Sequence, residues 1–326
     1  MNWLAEDLAD VTSGFSGVVA VSHGADVIFD AAYGLADRAH GIATTVETRF
    51  GVASVTKGFT AVAIAALVED GRLGFDLPVR DLLGDDLPLI DPAVTVRHLL
   101  SHTSGIGDHV DEEVVTADDE YVLTVPVHTL STTEDYVPLL NALAPKFAPG
   151  ERFGYCNSGF VVLALIAERV CDQTFHELVA DRVFGPAGMG RSAFLRMDDL
   201  PGDAALGYLP DGRTNVLHLP VRGSGDGGAY STVADLRAFW RALFDGRLLP
   251  PERVQELLTP SSPGGEYGLG FWLAPDRGRV WLEGGDAGVT AWTEHHPADG
   301  RTITVLCNLA DGSASRVMRH LDSLLG

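Results

Sequence analysis

Lysine is almost missing from this chain: its 326 residues include only Lys57 and Lys146. Positive charge is scarce altogether, with 23 lysines and arginines against 45 aspartates and glutamates and a formal net charge of -22. Such a chain repels phosphodiester backbones and anionic bilayer surfaces, which argues against nucleic acid or a membrane as its partner. No apolar run approaches the roughly 20 residues that a membrane-spanning helix needs. The first residues, Met1-Asn2-Trp3-Leu4-Ala5-Glu6-Asp7, lack the basic and apolar regions of a secretory signal, so a cytoplasmic protein is expected. Cysteine is sparse as well. Cys156, Cys171 and Cys307 match no metal-ligand spacing, and an odd number makes no disulfide framework, so buried free thiols are expected and neither a metal nor an organic cofactor is implied.

What remains is the composition of an ordinary globular protein, 46% apolar and 21% charged, long enough for one large domain or two intimately joined ones. Residues 3–12 read as a short amphipathic helix. Strand-like runs at 17–22 and 27–33 flank His23-Gly24-Ala25-Asp26, a hairpin signal. Residues 54–69 read as a helix that is apolar nearly all round, hence central and buried, ending at Asp70-Gly71. A helix-rich middle follows, with helices expected at 95–101, 133–143, 158–170 and 175–184 and an exposed acidic loop at 108–120. After the glycine-rich run 223–228 come a helix at 232–244, strands at 267–273, 279–282, 289–295 and 302–308, and a last helix at 313–325. Early hairpin and late strands together predict an α+β fold, an antiparallel sheet flanked by helices and assembled from both ends of the chain. Residues 1–77 and 206–326 would form the α/β part, 78–205 a mostly helical insertion, with the active site in the cleft between them.

The chemistry begins at Ser54 and Lys57. Lysine loses its proton when desolvated, whereas arginine effectively never does. A Ser-x-x-Lys pair on one helical turn sets a hydroxyl beside an amine able to take its proton. The helix N-terminus favours developing negative charge, and the Ser54 N–H could serve an oxyanion. Burial among Val52, Val55 and Phe59 would push the Lys57 pKa down. Further along, a turn presents Tyr155 and Asn157 just ahead of a helix. A Tyr hydroxyl can relay protons, a nearby cation would lower its pKa, and an Asn side chain can ligate a substrate amide.

Residues 50–58, 67–73, 97–106, 147–159 and 267–272 together resemble the serine hydrolases grouped with class C β-lactamases, DD-peptidases, D-aminopeptidases and β-lactamase-fold esterases. The likeness covers nearly the whole chain in the family's order. It implies a β-lactamase/transpeptidase-like fold, with Ser54 as acylated nucleophile, Lys57 as its activating partner, Tyr155 as general base or acid and Asn157 as a substrate ligand. It leaves open whether Tyr155 or Lys57 takes the proton. His102, in the His-Thr-Ser-Gly run, reads as structural.

The third motif departs from the family. Where Lys or His, a small residue and Gly are usual, this chain has Glu283-Gly284-Gly285-Asp286. Gly284 and Gly285 permit close backbone approach, and the Asp286 N–H could be a second oxyanion donor. A carboxylate at 283 would repel the substrate carboxylate of a penicillin. The expected substrate is therefore a small ester, amide or short peptide, uncharged or bearing an ammonium group. An esterase is the first expectation, a D-aminopeptidase, amidase or weak β-lactamase the second. A non-catalytic protein that binds β-lactams or peptides is the competing reading of another class.

Overall fold

Two stretches of alternating apolar residues, far apart in the chain, meet in one sheet. The computed structural model describes residues 2–114 and 122–325. An N-terminal hairpin, β1 (Gly17–His23) and β2 (Asp26–Tyr33), joins four later strands, β3 (Trp272–Leu273), β4 (Val280–Asp286), β5 (Val289–His296) and β6 (Arg301–Cys307). The order is β2-β1-β6-β5-β4-β3, every neighbouring pair antiparallel. Because side chains alternate along a strand, β1 feeds two cores at once. Val19 and Val21 pack with Ile303 and Val305 beneath α1 (Asn2–Leu8) and the C-terminal helix Ser313–Leu325, which buries Val317 and Leu321. Val18 and Ala20 face the larger core, shared with α2 (Thr56–Glu69), α3 (Asn157–Cys171) and α4 (Val233–Phe244).

Helix α2 is buried from Thr56 to Leu67, as an all-apolar helix must be, and ends at Gly71 with φ +70°, a left-handed turn that glycine adopts without strain. Its N-terminus is set by the chain before it. Ala53–Val55 forms a 3-10 turn in which Ala53 adopts φ +44°, uncommon for a residue with a side chain. The turn is pinned from outside: the Val52 N–H donates to the Ala229 carbonyl at 2.9 Å, and the Ala229 N–H donates to Thr56 Oγ1 at 3.2 Å.

Several sequence expectations need correction. The first helix stops at Leu8 and the chain continues in turns, in which the Thr12 N–H and hydroxyl both donate to the Leu8 carbonyl, at 3.0 and 2.9 Å. The strand expected over 267–273 shrinks to Trp272–Leu273; upstream, the Leu269 and Gly270 N–H groups donate to the carbonyls of Leu257 and Leu100 instead of a strand partner. The 133–143 segment divides into a 3-10 turn, Thr133–Tyr136, and a single helical turn, Val137–Leu140. A helix at Pro251–Leu257 went unread. All three cysteines are free, but Cys171 is only half-buried. The acidic loop at 108–120 does not simply face water: the Asp108 and His109 side chains are buried, while residues 115–120 lie outside the described residues. Among the described residues no helix is long and apolar enough to cross a membrane.

Candidate active site

Ser54 sits in the 3-10 turn ahead of α2, half-buried, with Lys57 one turn on. Lys57 is 1% exposed, and its Nζ lies 2.8 Å from each of three oxygens: Ser54 Oγ, Asn157 Oδ1 and the Asp226 carbonyl. The 3-10 turn supplies the serine, helix α2 the lysine, the start of α3 Asn157, and the glycine-rich loop 223–228 Asp226. That loop is tied to α2 a second time by the Thr60 hydroxyl, which donates to the Gly225 carbonyl at 2.6 Å.

Burial pushes the Lys57 pKa below its ordinary value, against the upward pull of Asp226, Glu112, Asp108 and Asp286. The three neighbours also say how a neutral amine would orient. Asn157 Oδ1 and the Asp226 carbonyl can only accept, so they take the two N–H bonds of an NH2 group. The lone pair is then left toward the Ser54 hydroxyl.

The Tyr155 ring is half-buried, 4.8 Å from Lys57 Nζ. Its pKa moves opposite to the sequence expectation. Burial raises it well above the ordinary tyrosine value and the Glu112 charge adds to that. His102 stacks on Tyr155 at 4.2 Å between ring centroids, and its Nδ1 accepts the Cys156 N–H at 3.0 Å. The imidazole is fully buried and held neutral by burial, a brace for the Tyr155 turn, as its sequence context suggested.

Asn157 does not cap its own helix. The Asp108 carboxylate does so from outside, accepting the Asn157 and Ser158 N–H groups at 2.9 and 2.8 Å. Asn157 Nδ2 donates to the Val110 carbonyl at 3.0 Å and lies 3.3 Å from Glu112 Oε1, so its amide holds the Lys57 pocket together before any ligand arrives.

The second wall is β4. An added Cβ on Gly284 would stand 2.5 Å from the Val52 carbonyl oxygen and 2.6 Å from the Ser54 nitrogen. Only a glycine lets this strand lie against the Ser54 backbone. Gly285 and Asp286, next along β4, line the cavity of about 100 Å³ that opens on Ser54. Glu283 is not brought into that cavity. It lines a separate depression with Trp292 and Met318, and burial raises its carboxyl above the ordinary range. It stays close enough to raise the Tyr155 pKa.

Sequence reasoning missed Glu112, Asp226 and His109, all of which line the Ser54 cavity, and Asp108 behind them. Leu123, Leu195, Met197 and Leu219 give the wall an apolar part. Among the described residues no group of acidic, His and Cys side chains is arranged to hold a metal ion.

A family model described as Beta-lactamase matches residues 5–325. The chain belongs to that family. The crystal structure of a penicillin binding protein from Bacillus halodurans is 38% identical and superposes with a TM-score of 0.91, covering 98% of this chain and 99% of that one. The octameric penicillin-binding protein homologue from Pyrococcus abyssi is 28% identical with a TM-score of 0.83, over 100% of this chain and 76% of that one. The D-aminopeptidase of Brucella anthropi is 28% identical over 93% of this chain and 58% of its own length. This chain spans about three-fifths of the length of the curated relatives it matches. The fold is β-lactamase/transpeptidase-like, as the sequence motifs implied.

Proposed function

We propose that this member of the Beta-lactamase family is a serine hydrolase that works through an acyl-enzyme on Ser54. The observation that carries the reading is the arrangement at Lys57: two obligate acceptors at 2.8 Å fix its N–H bonds, and Ser54 Oγ occupies the third direction at the same distance. Burial depresses the Lys57 pKa and raises that of Tyr155 well above its usual value, so of the two Lys57 is the group moved toward the role of base. Lys57 therefore takes the Ser54 proton as Ser54 Oγ attacks the carbonyl carbon. Tyr155, which stays protonated, donates to the leaving group. The Ser54 N–H and the Asp286 N–H hold the oxyanion, and water attacking the acyl carbon releases the product and restores Ser54.

Glu112, Asp226 and Asp286 line the cavity. Like charges facing one another in a partly desolvated site disfavour an anionic substrate. This reorders the sequence expectation, which placed esters first: an amide, ester or short peptide with a free ammonium group and an apolar side chain suits the walls better. The name of the D-aminopeptidase relative points the same way. D-Alanine p-nitroanilide, p-nitrophenyl acetate and the anionic cephalosporin nitrocefin should be compared at equal concentration. With kcat/KM corrected for intrinsic reactivity, D-alanine p-nitroanilide is expected to lead, and nitrocefin to trail by a factor of ten or more, as about 1.4 kcal/mol of repulsion requires. Nitrocefin turning over fastest would reverse the substrate assignment. Intact mass with no adduct after fluorophosphonate treatment would instead favour a binding protein.

A further inference from the structure

The proton path through Lys57 makes no use of a buried imidazole that lies beside its supports. The His109 side chain is 3% exposed, with Nε2 3.5 Å from Asp226 Oδ2 and Nδ1 3.7 Å from Asp108 Oδ1 and 3.0 Å from Ser158 Oγ. These partners belong to different pieces of the site. Asp226 is in the glycine-rich loop, and its carbonyl accepts one Lys57 N–H. Asp108 and Ser158 are at the head of α3, next to Asn157, which accepts the other. His109 thus joins the two supports of the lysine.

We infer that His109 is a positioning residue for Lys57: paired with Asp226, it keeps that carboxylate from holding the amine in its charged form. The inference rests on the reading of Lys57 as the base. The groups facing the imidazole are Asp108 on its own loop, Asp226 on the glycine-rich loop, Ser158 on α3 and the edge of the Tyr136 ring. The Lys57 amine on α2 repels it, and Glu112, on its own loop, acts on the same amine. Burial alone would push the imidazole pKa down, but Asp226 and Asp108 outweigh it and the net direction is up. Asp226 in turn is the strongest of the charges pulling the Lys57 pKa up. With imidazolium present that pull is partly cancelled. Without it, Asp226 faces Lys57 alone and the neutral amine appears only at higher pH.

The sign is therefore fixed for two variants. In His109→Gln the acidic limb of the Ser54 acylation rate moves to higher pH, by on the order of one unit, so the rate at a pH on that limb falls about tenfold and recovers at alkaline pH. In Asp226→Asn, which keeps the backbone carbonyl but removes the charge, the limb moves to lower pH. The rate of fluorophosphonate addition, followed by intact mass from pH 5 to 10, reads both. A loss that is uniform across pH in His109→Gln, with an unmoved limb in Asp226→Asn, overturns the inference while leaving Ser54 as nucleophile. A wild-type protein that takes no adduct at any pH defeats the hydrolase reading itself, and this inference with it. If His109→Gln does not fold, His109→Asn, followed over the same pH range, reads the limb in its place.

Discussion

Ser54→Ala is expected to take no acyl or phosphonyl adduct at all, and Lys57→Met to form one about 10²–10⁴ times more slowly than the wild-type protein, the range that a positioned general base contributes. The methionine is nearly isosteric and apolar, and α2 is buried around it, so the fold tolerates the change. The Asn157 Oδ1 and Asp226 carbonyl lose a donor each, a destabilisation of about 1–3 kcal/mol per buried acceptor, partly offset because an amine no longer has to be desolvated. Lys57→Arg separates two explanations of the defect. Arginine restores positive charge but cannot deprotonate, and its planar fork does not fit three acceptors converging on one nitrogen. If lysine served only as a charge beside the oxyanion, the arginine protein would retain much of the rate. If lysine is the base, both variants are equally slow, and burst kinetics with p-nitrophenyl acetate would show the same missing first phase in each.

The contrast between what could and could not be read in the sequence follows from chain distance. Ser54 and Lys57 are three residues apart, so one helical turn brings them together whatever the rest of the protein does. The hairpin and the last three strands were legible because period-two patterning and short connections are local signals. The polar cluster behind Lys57 was not. Asp108 and His109 stand in an acidic stretch, and acidic stretches normally face water. Only the docking of that loop onto the start of α3 turns them inward, where the Asp108 carboxylate finds two helix N–H donors and His109 finds Asp226, 117 positions further along the chain. Tyr155 failed for a related reason. The sequence places a cation nearby, but the degree of burial that raises the tyrosine pKa and lowers that of the lysine is a property of the assembled site. Glu283 is the reverse case. Its position after Leu282 marks it as a departure from the family pattern, yet it alternates with Gly284, the residue that meets the Ser54 backbone, and lines a different depression from the one that holds Ser54.

The second large effect is expected from a single methyl group on β4. Gly284→Ala would require a Cβ 2.5 Å from the Val52 carbonyl oxygen and 2.6 Å from the Ser54 nitrogen, both backbone atoms that no rotamer change can move aside. Strand β4 cannot shift alone, since it is laddered to β5 along its length from Val280↔His295 to Asp286↔Val289. The turn opposite is equally fixed, held through Val52 and Thr56 to Ala229. The contact must therefore open by displacing the two walls of the site relative to each other by roughly 1 Å, and misplacement on that scale can lower a rate about 10²-fold. Overpacking of this kind also destabilises by about 1–3 kcal/mol, visible as a lower denaturation midpoint. Gly190→Ala is the matched control, because nothing lies within 4 Å of the added methyl. A Gly284→Ala protein that acylates at the wild-type rate would mean that β4 does not form the wall against which the oxyanion develops. A protein slowed about a hundredfold, alongside an unaffected Gly190→Ala, would locate the reacting carbonyl between the Ser54 nitrogen and the end of this strand.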